Sequence, residues 1–155
     1  DLGATTFELG LLTTLTLTPS IFSSALSGSY FSPRFGERAT LVCGLGLTAL
    51  TCFAVPFISN LPALYLSQMI GGFARGLVLP LLMGLSIRAI AADKRSTAMG
   101  VFQALYGLGM FFGPLLAGLL GTLAGLSAGF WVTGLIGMAG AALAARRSYL
   151  PAKPQ

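Results

Sequence analysis

From Ser96 to Ala145 the chain runs for 50 residues without a single Asp, Glu, Lys or Arg. A soluble domain needs charged and polar groups to cover its surface, so an uncharged run of this length belongs in lipid. The remainder agrees: 55% of the 155 residues are hydrophobic and 8% are charged. A mean hydropathy of +0.85 lies far above that of a polar-surfaced domain. In a bilayer the backbone must satisfy its own hydrogen bonds, and long apolar runs without strand alternation do so as helices. The chain is therefore predicted to be all-α, a polytopic transmembrane helix bundle.

Charges divide the sequence into apolar windows at Leu9 to Pro33, Ala39 to Ala74, Gly76 to Ile87 and Ser96 to Ala145. Pro56, Asn60 and Pro62 break the second window, and the Gly-rich stretch from Gly121 to Phe130 breaks the last. Five helices result, at about 9–31, 39–58, 63–88, 96–121 and 128–146, with 147–155 as a tail. Arg34 and Arg38 then fall in the first loop, Arg88, Lys94 and Arg95 in the third, and Arg146, Arg147 and Lys153 after the last helix. The second and fourth loops carry no Lys or Arg. The positive-inside rule places the N-terminus outside and the tail in the cytoplasm, in a plasma (inner) membrane. Four helices would scatter these charges over both faces. No charged n-region or cleavage site precedes the first apolar run, so no signal peptide is expected, and a start at Asp1 reads as a piece of a longer chain.

The net charge of +5 marks topology, and no nucleic-acid partner is expected. Cys43 and Cys52 fall within one expected helix, which suits packing better than a disulfide or a metal. There is no His, and the four acids, Asp1, Glu8, Glu37 and Asp93, sit at helix ends or in loops. Intramembrane hydrolysis and metal chemistry need a nucleophile with a base, or several ligands meeting at depth. The expectation is no catalytic residue, no metal site, no cofactor and no enzyme. An embedded transferase or protease is disfavoured on the same ground.

Arg75 is the one ionisable residue at membrane depth, near the middle of the third helix. A guanidinium there is costly and should face a protein interior or an aqueous cavity. It suits recognition of an anionic substrate group or a charge relay; equally, it suits pairing with backbone carbonyls or with a helix from elsewhere. Gly71, Gly72 and Gly76 beside it permit close backbone approach under either reading. The first helix carries Thr13, Thr14, Thr16, Thr18, Ser20, Ser23, Ser24 and Ser27 with Pro19 among them, predicting a kink and hydroxyl bonds to neighbouring helices. In the fourth helix, Gly109, Gly113 and Ala117 recur at i, i+4 and i+8 as a stripe for close helix packing, and Pro114 can bend the helix. Gln103, Tyr106 and Met110 at i, i+3 and i+7 give a larger, partly polar face. The fifth helix, built mainly from small and aliphatic residues, reads as scaffold.

The stretch GMFFGPLLAG resembles the Gly-x-x-x-Gly-Pro-x-x-Gly-Gly signature of the major facilitator superfamily, often called the antiporter motif. Gly109, Gly113, Pro114 and Gly118 match, and Ala117 replaces one Gly. SYFSPRFGER is similar to the superfamily's loop signature at Arg34, Gly36 and Arg38. It departs at Ser29, at Pro33 in place of the Asp, and at Glu37 in place of an Arg. The resemblance covers nearly the whole chain and implies five helices of a twelve-helix transporter, most like helices eight to twelve, with two to six as the alternative. Gln68 then stands where the first half's helix four usually has an Arg. The resemblance also implies that helices one, three and four line a central cavity with Arg75, Gln68, Gln103 and Tyr106 as candidate wall residues, while helices two and five face lipid. Arg34, Gly36, Glu37 and Arg38 would form a cytoplasmic latch paired with charges near Asp93.

The function expected is secondary active transport of a small molecule by alternating access, with proton-coupled efflux suggested by the antiporter-like motif alone. Its expected partners are the small-molecule substrate, protons, the lipid bilayer and the remaining helices of the same transporter. The competing expectation is a small stand-alone membrane scaffold, or a subunit of a membrane complex, without transport activity of its own.

Overall fold

A computed structural model of the chain describes residues 5–146. Five helices are long and apolar enough to cross a membrane: α1 Thr6–Phe35, α2 Glu37–Phe57, α3 Leu61–Arg88, α4 Ala92–Ala124 and α5 Leu126–Ala145. The residues form an all-helical transmembrane bundle with no strand among those described. The tail 147–155 lies outside the described residues.

Side-chain caps fix the starts of α1 and α3. Thr5 and Glu8 form a capping box in which Thr5 Oγ1 accepts from the Glu8 amide at 3.3 Å and Glu8 Oε2 accepts from the Thr5 amide at 2.6 Å. Asn60 accepts from the Ala63 amide at 2.9 Å, and Pro62 sits in the first turn, where its missing N–H costs nothing. The α1–α2 and α4–α5 junctions are each a single glycine. Gly36 has φ +84° and ψ 147°, and Gly125 has φ +86° and ψ 156°, a region that side-chain-bearing residues avoid. The Gly-rich break expected from residue 121 to 130 is thus confined to Gly125.

Helices run through Pro19, Pro80 and Pro114, and α1 takes up a π-helical turn at Ser27–Phe31. The hydroxyls of α1 behave differently from expectation. Thr13, Thr14, Thr16 and Thr18 donate to carbonyls four residues back in their own helix, at 2.8–3.1 Å. A local carbonyl satisfies a hydroxyl without fixing a second helix. One hydroxyl does cross: buried Ser27 Oγ donates to the Leu77 carbonyl of α3 at 2.8 Å.

Small residues set the packing. On α3, a Cβ at Gly72 would collide with the Thr16 carbonyl of α1, and one at Gly76 with the Ser20 carbonyl and Ser23 Oγ. α1 and α3 therefore touch backbone to backbone through a Gly-x-x-x-Gly pair. Gly134 of α5 lies against the Phe53 ring of α2, 2.9 Å from where its Cβ would sit, and Gly137 against Ala49, at 3.2 Å. Leu41, Val78 and Leu81 form a buried apolar cluster joined by Leu45, Leu82, Leu85 and Ala144. In contrast, α4 has no buried residue among those described, and Leu105, Met110, Phe111 and Leu115 are all more than half exposed.

Candidate functional site

Because α1 is drawn onto Gly72 and Gly76, its polar residues lie beside the next turn of α3. A cavity of about 420 Å3 opens there, walled by Thr16, Ser20 and Ser24 of α1, Thr48 of α2, Arg75 of α3 and Tyr106 of α4. Its size falls within the roughly 300–1,000 Å3 of small-molecule pockets. Five hydroxyls and one guanidinium punctuate an otherwise apolar lining, which can orient a ligand by a few directed contacts.

Arg75 folds back along its own helix, as long helical side chains do, and its Nε donates to the Gly71 carbonyl at 3.3 Å. The guanidinium is thereby carried toward the turn holding Gln68. A second cavity, of about 140 Å3, lies between α2, α3 and α5 and is walled by both Arg75 and Gln68. Tyr106, 42% exposed, stacks on Phe102 with ring centroids 6.4 Å apart and planes 6° apart. Gln103 is exposed and belongs to neither cavity. The fold thus brings Arg75 together with Tyr106 on one side and with Gln68 on the other, and leaves Gln103 out. Ser67, Thr48 and Thr51 of the smaller cavity escaped the sequence reading. The signal was present in Ser67, Gly71 and Arg75, which recur at i, i+4 and i+8 along one helix face.

The loop-motif residues occupy one end of the bundle. Gly36 makes the break, Glu37 pairs with Arg88 at the end of α3, and Arg38 Nε donates to the Ala144 carbonyl at 3.3 Å. That carbonyl is one of the last of α5, where the helix dipole favours a cation. Arg34 stays local, with Cζ 5.6 Å from the centroid of the Tyr30 ring. Glu37 meets Arg88, five residues before Asp93, and Asp93 forms no ion pair among the described residues.

The packing motif on α4 is mostly unoccupied. A Cβ on Gly109, Gly113 or Gly118 would meet nothing within 4 Å among the described residues, whereas Ala117 packs on α5, its carbonyl 3.1 Å from where a Gly129 Cβ would sit. Pro114 lies inside the helix beside this open face.

Comparison with known proteins follows the same lines. The sequence model of the Major Facilitator Superfamily matches residues 1–155. The chain is 28% identical over 120 residues to the quinolone resistance protein NorA of Staphylococcus aureus (strain MRSA252), covering 77% of this chain and 31% of that protein. It is 34% identical over 110 residues to the oxalate:formate antiporter of Oxalobacter formigenes, covering 70% of this chain and 26% of that one. The match therefore spans about a third or less of these relatives' own length.

Proposed function

Because the chain belongs to the major facilitator superfamily, we propose that it is one portion of a secondary transporter that moves a small molecule across a membrane by alternating access. The observation that carries this reading is the 420 Å3 cavity with Arg75, the α1 hydroxyls and Tyr106 on its wall. A guanidinium at the middle of a membrane helix is costly unless it faces such a cavity. The name of one relative, an oxalate:formate antiporter, supports exchange as the mode of transport.

In this reading the bilayer is a plasma (inner) membrane, with the N-terminus outside and the last helix ending in the cytoplasm. The clustering of Arg34, Arg38, Arg88 and Arg146 at loops and helix ends that alternate along the chain supports that orientation. The open face of α4, with Gly109, Gly113 and Gly118, receives the remaining helices of the same protein. Arg34, Gly36, Glu37 and Arg38 act as a latch in one state of the cycle: Glu37 and Arg38 tie the α1–α2 junction to the ends of α3 and α5, and Arg34 is held beside Tyr30 at the same end. A proton-coupled cycle draws on acids in the remaining helices, since Glu8, Glu37 and Asp93 lie in first turns of helices.

Transport by the full-length protein in proteoliposomes tests the reading. Arg75→Ala should lower the initial rate about tenfold or more while the yield of folded protein holds. Equal loss of rate and folded protein would mean that Arg75 serves the fold and would remove it from the cavity.

A further inference from the structure

The 140 Å3 cavity between α2, α3 and α5 has a chemistry of its own. It is well short of the roughly 300 Å3 at which drug-sized pockets begin. A cavity of this size suits a small occupant.

Three observations describe that occupant. Ser67 is 8% exposed and its Oγ has no hydrogen-bond partner among the described residues. This is unusual here, because Thr48 and Thr51 on the same wall each donate to a carbonyl of their own helix, at 2.9 and 2.8 Å. A hydroxyl buried without a partner forfeits its hydrogen bond to water, a cost that a bound acceptor would relieve. Second, Arg75 makes one hydrogen bond among the described residues, from Nε, and its terminal nitrogens are uncommitted. Glu8 is engaged with Thr5, Glu37 with Arg88, and Asp93 forms no ion pair among the described residues, so no described acid pairs with this guanidinium. Third, Gly71 lies between the turns of Ser67 and Arg75, and a Cβ there would come 3.2 Å from Thr51 Oγ1. The bare glycine keeps the floor of the cavity open.

A positive, planar donor fork beside a hydroxyl and the Gln68 amide repels cations and matches two coplanar oxygens. We propose that this cavity binds a small carboxylate anion, held by the Arg75 guanidinium and the Ser67 hydroxyl. The proposal rests on the reading of Arg75 as a cavity residue. Binding can nevertheless be measured without transport, so the two ideas fail separately.

Thermal unfolding of the purified full-length protein provides the test, in sodium formate, acetate, chloride or gluconate at equal ionic strength. Formate and acetate should raise the midpoint saturably, and at lower concentration than the bulkier gluconate. Arg75→Lys, which keeps the charge and loses the fork, should weaken apparent formate affinity about tenfold. Ser67→Ala should weaken it about threefold. If Arg75→Lys does not fold, Ser67→Ala, nearly the same size, decides. No anion response, an equal response to gluconate, a response confined to chloride, or wild-type affinity in Ser67→Ala would each overturn the proposal. Formate binding in a protein that transports nothing would uphold the site and remove the transport reading; transport without any anion response would do the reverse.

Discussion

Gly72 of α3 faces the Thr16 carbonyl of α1 with no room for a methyl group between them. Gly72→Ala must push two backbones apart or bend side chains from their rotamers, a cost of about 1–3 kcal/mol. Gly76→Ala, one turn on and against Ser20 and Ser23, should do the same. Both variants of the full-length protein should show lower unfolding midpoints in detergent, and an unchanged midpoint would contradict the contact. The cavity wall should suffer with the fold, because Thr16 and Ser20 are held in place by this contact.

Ser27→Ala removes the hydrogen bond to Leu77 that ties the π-helical turn of α1 to α3. Interhelical hydrogen bonds in membranes average about 0.6 kcal/mol and reach about 1.7. A loss in that range is expected, measured by reversible unfolding in detergent. A loss near zero would mean that the hydroxyl finds a carbonyl of its own helix when α1 is free.

Glu37 and Arg88 are each about one-third exposed, at 38% and 32%, so solvent screens their attraction. Glu37→Gln should cost at most about 1 kcal/mol of stability. Its larger effect should be on transport rate, since the pair joins the α1–α2 junction to the end of α3. The exchange of Glu37→Arg with Arg88→Glu should restore the rate lost in either single variant. Failure of the exchange to restore it would show that neither side chain acts through the other.

Gly113 has open space around it, so Gly113→Leu should leave the contacts within this chain intact. In the full-length protein the same leucine should overpack the helix that meets α4, lowering transport or disrupting the assembly. Full activity in Gly113→Leu would remove the stripe from the moving interface.

Hydropathy, charge spacing and turn residues carried the helix count, because crossing a bilayer demands lengths and loop charges that composition displays directly. The register of helix on helix was less visible. Two small-residue pairs stood in the sequence, Gly72 with Gly76 and Gly109 with Gly113, and the spacing alone does not say which pair meets a partner in this chain. The structure fills the first and leaves the second open. Gln103 looked equivalent to Tyr106 on a helical wheel, yet only Tyr106 reaches the large cavity, a matter of where α4 leans relative to α3. Ser67 was hidden for another reason: a serine in a membrane helix usually bonds its own backbone, and only its surroundings reveal that this one does not.

Gly36 and Gly125 each join two helices with one residue in a conformation reserved for glycine. Such a joint has almost no slack, so α1 with α2, and α4 with α5, must travel as coupled levers whose ends on that side cannot drift apart. Those two joints let the helices pivot but not separate, and a change in the distance between neighbouring helix ends falls to the three-residue connectors, Ile58–Asn60 and Ala89–Ala91. The slack between neighbouring helix ends therefore lies at the two ends of α3, the helix that carries Arg75.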